Sequence, residues 1–132
     1  MDMKLELVPV PVSDVDRAKA FYVEKVGFNT DHDTRFGDAA RVVQLTPPGS
    51  ACSIVIGTGL GEISEMTPGS VKALHLVVAD VASARDALVA RGVEVGVVEE
   101  HGRGVKFAHF HDPDGNTWAL QEMPWRSDLG AG

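Results

Sequence analysis

An internal repeat restricts this chain more than any other feature. Residues 8–21 read VPVPVSDVDRAKAF and residues 74–87 read LHLVVADVASARDA. At an offset of 66, Val12 falls on Val78, Asp14 on Asp80, Val15 on Val81 and Ala18 on Ala84. At the same offset Pro47 falls on Pro113 and Gly49 on Gly115, while Gly27 matches Gly92 one residue out of step. Self-similarity of this kind marks two copies of one supersecondary unit.

Each copy reads the same way. Residues 5–12 and 71–79 are short, apolar and rich in β-branched side chains, which favours strands over helices. Asp14 and Asp80 follow where helix N-caps belong, since a carboxylate there accepts the unpaired backbone N–H groups of the first turn. Val15, Ala18, Tyr22 and Val26 form one apolar helical face, as do Val81, Ala84 and Leu88. Gly27 and Gly92 suit left-handed C-caps. Three more strands fit after each helix, over residues 28–36, 39–46 and 50–57, then 93–100, 104–111 and 116–122. Asp112-Pro113-Asp114-Gly115 has the residue order of a type I turn for the last hairpin. Residues 58–70, rich in Gly, Ser, Thr and Pro, read as a linker. The expectation is one α+β domain of two βαβββ modules, residues 1–57 and 71–123, with a tail over 124–132.

Composition narrows the partners. Apolar residues make up 44% of the 132 and charged residues 23%, ordinary for a globular domain. Acidic residues outnumber basic ones 19 to 12, so a basic footprint for nucleic acid or an anionic membrane is missing. A single cysteine, Cys52, forbids an internal disulfide and fits a reducing compartment. The start of the chain lacks the pattern of a signal peptide, and no apolar run reaches the ~18 residues of a membrane span. A cytoplasmic protein is expected.

Two passages, Val12-Ser13-Asp14-Val15-Asp16-Arg17-Ala18-Lys19-Ala20-Phe21-Tyr22 and Asp112-Pro113-Asp114-Gly115-Asn116, resemble the vicinal oxygen chelate superfamily. It contains glyoxalases, bleomycin-resistance proteins, fosfomycin-resistance enzymes and extradiol dioxygenases. The resemblance implies curled mixed sheets around a cleft, helices on the outer faces, and a homodimer. It also implies a divalent metal held by His and Glu at fixed strand positions. Counted from the helix-start Asp residues and the DPDGN turn, those positions are Leu7, Ser53, Ala73 and Ala119. Leu and Ala offer no donor to a cation and Ser only a weak one. No cofactor is therefore expected, unless a divalent metal binds at a non-standard site.

Strand side chains alternate between faces, so residues two places from these positions share their side. That reasoning selects Pro9, His75 and Gln121, and the resemblance to fosfomycin-resistance enzymes adds His109. The expected ligand-facing set is Leu7, Pro9, Ser53, Ala73, His75, His109, Ala119 and Gln121, with Leu74 and Leu120 under the helices. His109 and His111 alternate around Phe110, an incomplete chelate without a carboxylate. His32 and His101 read as solvent-facing, and Trp125 as a rim or dimer contact or a loosely packed tail residue. Gly57-Thr58-Gly59-Leu60-Gly61 lacks the strand-turn-helix context of a dinucleotide loop.

Three functions compete. The first is binding of a small organic molecule without chemistry, as bleomycin-resistance proteins do. The second is a metal-independent isomerase, lyase or hydrolase with His75 or His109 as acid or base near neutral pH. The third is a metal-dependent lyase or dioxygenase with relocated ligands.

Overall fold

The computed structural model describes residues 1–126 together with Asp128 and Leu129. It divides into two compact units. The first comprises Met1–Val71 and the turn Asp112–Asn116; the second comprises Lys72–His111 and the chain from Thr117 onward.

In the first unit, β1 (Leu7–Pro9) leads into α1 (Val15–Ala20), then β2 (Asn29–Phe36), β3 (Ala40–Thr46) and β4 (Ser53–Thr58). The strands lie in the order β1-β4-β3-β2, with β1 parallel to β4 and the other pairs antiparallel. The Asp14 carboxylate accepts the Arg17 N–H at 3.0 Å, as the cap reading requires. Beyond Ala20 the helix widens into a π-helical stretch, Phe21–Val26, where a plain α-helix was expected. Gly27 ends it with φ 97, donating its N–H to the Tyr22 carbonyl five residues back. Val43, Leu45, Ile54 and Ile56 project from β3 and β4 into the core with Val15, Ala18 and Tyr22 of the helix. Burial of each large aliphatic side chain contributes on the order of 1.5–3 kcal/mol.

On the same side of this sheet, Arg41 makes a two-pronged contact with Asp33, Nε to Oδ1 at 2.9 Å and Nη2 to Oδ2 at 2.8 Å. Its third nitrogen reaches Asp16 on α1 at 2.7 Å, and Lys19 adds a bond to Asp33 at 2.9 Å. The Arg41 guanidinium holds the Asp33 carboxyl well below the usual carboxylate range, with Lys19 assisting. These contacts tie the helix to the strand edge.

The second unit repeats the plan. β5 (Leu74–Val77), α3 (Val81–Ala90), β6 (Glu99–His101), β7 (Val105–His111) and β8 (Thr117–Glu122) give the order β5-β8-β7-β6, with β5 parallel to β8. Asp80 caps α3 through the Ser83 N–H at 3.0 Å, and Glu122 accepts the Val81 N–H at 2.8 Å. Ala108, Phe110, Trp118 and Leu120 are buried on one side of the sheet, the Phe110 and Trp118 rings nearly parallel. The chain thus holds two βαβββ modules with mixed four-stranded sheets. Strands are shorter than expected at several ends. Residues 93–98, read as strand, instead run loosely beside β7, joined by the Gly96 N–H to the His109 carbonyl at 2.8 Å. The linker holds a single helical turn, α2 (Glu62–Glu65).

The β7–β8 turn joins the core of the first unit. Asp112 and Asn116 are fully buried. The Asp112 carboxylate accepts the Tyr22 hydroxyl at 2.7 Å, Asn116 Nδ2 at 2.8 Å, and the N–H groups of Asp114 and Asn116 at 2.9 Å. Asn116 also donates to the Pro11 carbonyl at 2.8 Å, and its Oδ1 accepts the Val71 N–H. Gly69, at φ 82, faces the Asp114 carbonyl so closely that any Cβ there would collide with it. Tyr22→Phe removes one buried hydrogen bond to a carboxylate and should lower stability by about 1–2 kcal/mol. Urea unfolding measures this; an unchanged midpoint would contradict the role assigned to the hydroxyl.

Candidate functional site

Strand register decides which side chains share a face. In the second sheet His75 pairs with Ala119, and Ala119 with His109; Val77 pairs with Gln121, and Gln121 with Phe107. His75, Ala119 and His109 therefore form one row across three strands, with Gln121 and Phe107 in the next. Leu74, Trp118 and Phe110 form a row on the opposite face, and Trp118 and Phe110 are buried there. The structure thus brings His75, His109 and Gln121 onto a single face around Ala119.

The rings on this face cluster around Phe107. Its centroid lies 5.9 Å from His75 and 5.2 Å from His101, both edge-on, and 6.3 Å from His109, nearly parallel. His109 Nδ1 stands 3.2 Å from Glu99 Oε2, both side chains about half exposed. His75 Nδ1 stands 2.7 Å from the Ala73 carbonyl. Phe107 and Glu99 escaped the sequence reading, while His101, read as solvent-facing, is exposed. Phe107 was accessible to it, being two residues from His109 on the same strand.

Ala73 requires a correction. It is not the counterpart of Leu7. Val10 donates its N–H to the Val55 carbonyl, and Val78 donates to the Gln121 carbonyl, so Val10 corresponds to Val78. Leu7 pairs with Ser53 as His75 pairs with Ala119. The second module runs from its first strand to its helix cap in two fewer residues, so counting back from Asp80 overshoots the strand. Ala73 lies just before β5, exposed, with φ 60, its N–H donated to Thr117 Oγ1 at 2.7 Å.

In the first sheet, Ser53 sits beside Leu7 and is buried. Its hydroxyl lies 2.6 Å from Thr46 Oγ1 and 3.4 Å from Asp31 Oδ2, and Thr46 itself bonds to Asp31. Asp31 reaches this row because β2 is irregular between Thr30 and His32. Gln44 continues the row, its Nε2 donating to Glu6 and its Oε1 facing His32. This face is polar and internally hydrogen-bonded. Pro9 lies in β1, two residues after Leu7 and opposite Val55.

A groove of about 550 Å³ opens at the edge of the second unit, lined by Arg85, Val89, Val93, Val95, His109 and His111. Arg85 is anchored there by the carbonyls of Gly96 at 2.7 Å and Val95 at 3.1 Å. Trp125 is largely exposed.

The positions that correspond to the family's metal ligands are thus Leu7, Ser53, His75 and Ala119. They offer one imidazole and one hydroxyl already engaged with Thr46 and Asp31. A divalent cation needs three or four nitrogen, oxygen or thiolate donors from the protein. Among the described residues no group of three or more His, Cys, Asp or Glu side chains comes together. The residues present do not fit that metal.

Comparison with known proteins adds an independent line. The sequence model described as the Glyoxalase/Bleomycin resistance protein/Dioxygenase superfamily matches residues 4–120. The crystal structure of TnmS3, an antibiotic binding protein from Streptomyces sp. CB03234, is 36% identical with a TM-score of 0.80, covering 92% of this chain and 97% of that one. A glyoxalase/bleomycin resistance protein from the same strain is 38% identical with a TM-score of 0.75, over 89% of this chain and 98% of its own. YetH of Bacillus subtilis (strain 168), an uncharacterized protein, is 30% identical over 126 residues, 92% of this chain and all of its own. From the donor set, protein purified without chelators should carry far less than one zinc, iron, manganese or nickel per chain. Elemental analysis checks this, and a stoichiometric metal would refute it.

Proposed function

The chain belongs to the Glyoxalase/Bleomycin resistance protein/Dioxygenase superfamily, and from that premise we propose that it binds a small organic molecule on the ring-bearing face of its second sheet and releases it unchanged. The observation that carries this reading is the row His75, Ala119 and His109 beside Phe107 and Gln121. Small-molecule sites combine flat apolar surface with a few directed polar groups, and this face has both. Where catalytic relatives place metal donors, this chain has Leu, Ser, His and Ala. TnmS3, similar over nearly its whole length, binds an antibiotic, which supports the same class of ligand here.

A thermal-shift screen of antibiotics is the first test. A compound at 100 times its Kd stabilises the native state by about 2.7 kcal/mol, so a genuine ligand raises Tm by several degrees. Calorimetry with that compound should show His75→Ala, His109→Ala and Gln121→Ala each weakening binding roughly fivefold, the value of one hydrogen bond. Wild-type affinity in all three variants would sink the proposal.

The contact of His109 with Glu99 favours a second reading, an acid–base enzyme that uses no metal. A carboxylate beside Nδ1 orients an imidazole for proton transfer. Proton NMR of the ligand after incubation separates the two, because an isomerisation leaves the mass unchanged. An unchanged spectrum supports binding alone, and conversion that disappears in His75→Ala or His109→Ala supports the enzyme.

We also propose a homodimer. All eight residues of β2, the outer strand of the first sheet, are exposed, and such an edge invites cover by a second copy. Light scattering at micromolar concentration should report twice the mass of one chain; the mass of a single chain would refute it.

A further inference from the structure

Of the two imidazoles that flank Ala119, His75 has its proton position set by a backbone neighbour. A backbone carbonyl can only accept a hydrogen bond, so the 2.7 Å contact of His75 Nδ1 with the Ala73 oxygen requires a proton on Nδ1. The lone pair of the neutral ring is then on Nε2. Ala73 presents that oxygen because its backbone is left-handed, at φ 60, and its N–H is held by Thr117 Oγ1. An L-residue with a Cβ rarely adopts this conformation, so the geometry is specific to the site. His109 Nδ1 stands 3.2 Å from Glu99 Oε2, a carboxylate oxygen, and both side chains are about half exposed.

Neither Nε2 has a hydrogen-bond partner among the described residues. Phe107 lies in contact range of both rings, parallel to His109 and edge-on to His75. Ala119, in register between the two imidazoles, is too small to obstruct a ligand there. The face therefore combines flat π-surface with an acceptor at His75 Nε2, and the Gln121 amide adds a donor.

Building on the small-molecule reading above, we propose that the ligand is a planar aromatic compound bearing a hydroxyl or N–H donor, stacked against the Phe107–His109 pair and donating to Nε2 of His75. A ring stacked on this face strips water from Nε2. A ligand with a donor restores that hydrogen bond, and one without it leaves a bare acceptor, the basis of discrimination between otherwise equal rings. Aromatic rings gain from offset stacking on a Phe or imidazole face, which accounts for the parallel pair as the platform.

The probes are 2-naphthol and 2-methoxynaphthalene, identical ring systems that differ in the donor. Binding is measured by calorimetry at about pH 8. The wild type should bind 2-naphthol at least about fivefold more tightly than its methyl ether. His75→Ala should abolish that preference, and Phe107→Ala should weaken both probes. Long-range ¹H–¹⁵N spectra of the free protein give a readout independent of any ligand: His75 should appear as the Nδ1–H tautomer. Equal affinity of the two probes, a preference that survives His75→Ala, or an Nε2–H tautomer at His75 would each overturn the proposal. If an antibiotic from the screen binds while neither naphthalene does, the ligand class is wrong and the binding reading stands. If the screen fails as well, both fall.

Discussion

A carboxylate with no exposure to water organises much of this protein. Asp112 is fully buried, and an ionised carboxylate in such a place is tolerable only when donors surround it. The Tyr22 hydroxyl, the Asn116 amide and two backbone N–H groups provide them. Each has a cost of its own. Tyr22 is supplied by a helix that widens to π geometry, and the Asp114 carbonyl demands a glycine at position 69. The residues of the DPDGN turn are therefore fixed by the chemistry of the first unit as well as by the bend of the hairpin that carries them.

On the second sheet, the same alternation that buries Phe110, Trp118 and Leu120 delivers His75, Phe107, His109 and Gln121 to the other side. One face is a packing surface; on the other, His75 and His109 are exposed. The first sheet contrasts with it. Its corresponding face carries two hydrogen-bonded groups, Asp31 with Thr46 and Ser53, and Gln44 with Glu6 and His32. Duplicated modules have thus diverged in surface chemistry while keeping one backbone plan.

Much of that plan was legible in the sequence. The two Asp caps and the glycine ends of the helices follow from local rules about orphan N–H groups and left-handed termini; the facing of His75 and Gln121 follows from strand alternation counted from positions that the family resemblance supplied, and His109 came from the resemblance itself. The offset of the first strand was not legible. Alternation in VPVPV matches its partner equally well when moved by two residues, and such a move leaves every side chain on its original face. This is why Ala73 was misplaced while the facing of His75 was unaffected. The left-handed backbone at Ala73 gave no sign either, since alanine does not announce that conformation as glycine would. Asp31 joined the Ser53 row through a strand irregularity, which breaks the alternation used to find it. The partnership of Asp112 with Tyr22 spans 90 residues, beyond any local pattern.

The crossing of the β7–β8 turn into the first unit has a consequence for the order of events during synthesis. The first 71 residues leave the ribosome with the place for Asp112 and Asn116 still vacant, and those residues follow a few seconds later at about 5–20 residues per second. Until then the Tyr22 hydroxyl and the Pro11 carbonyl lack the partners they have in the finished protein. Although the halves repeat each other in sequence, the earlier one cannot complete itself in the order it is made. It must wait for part of the later one.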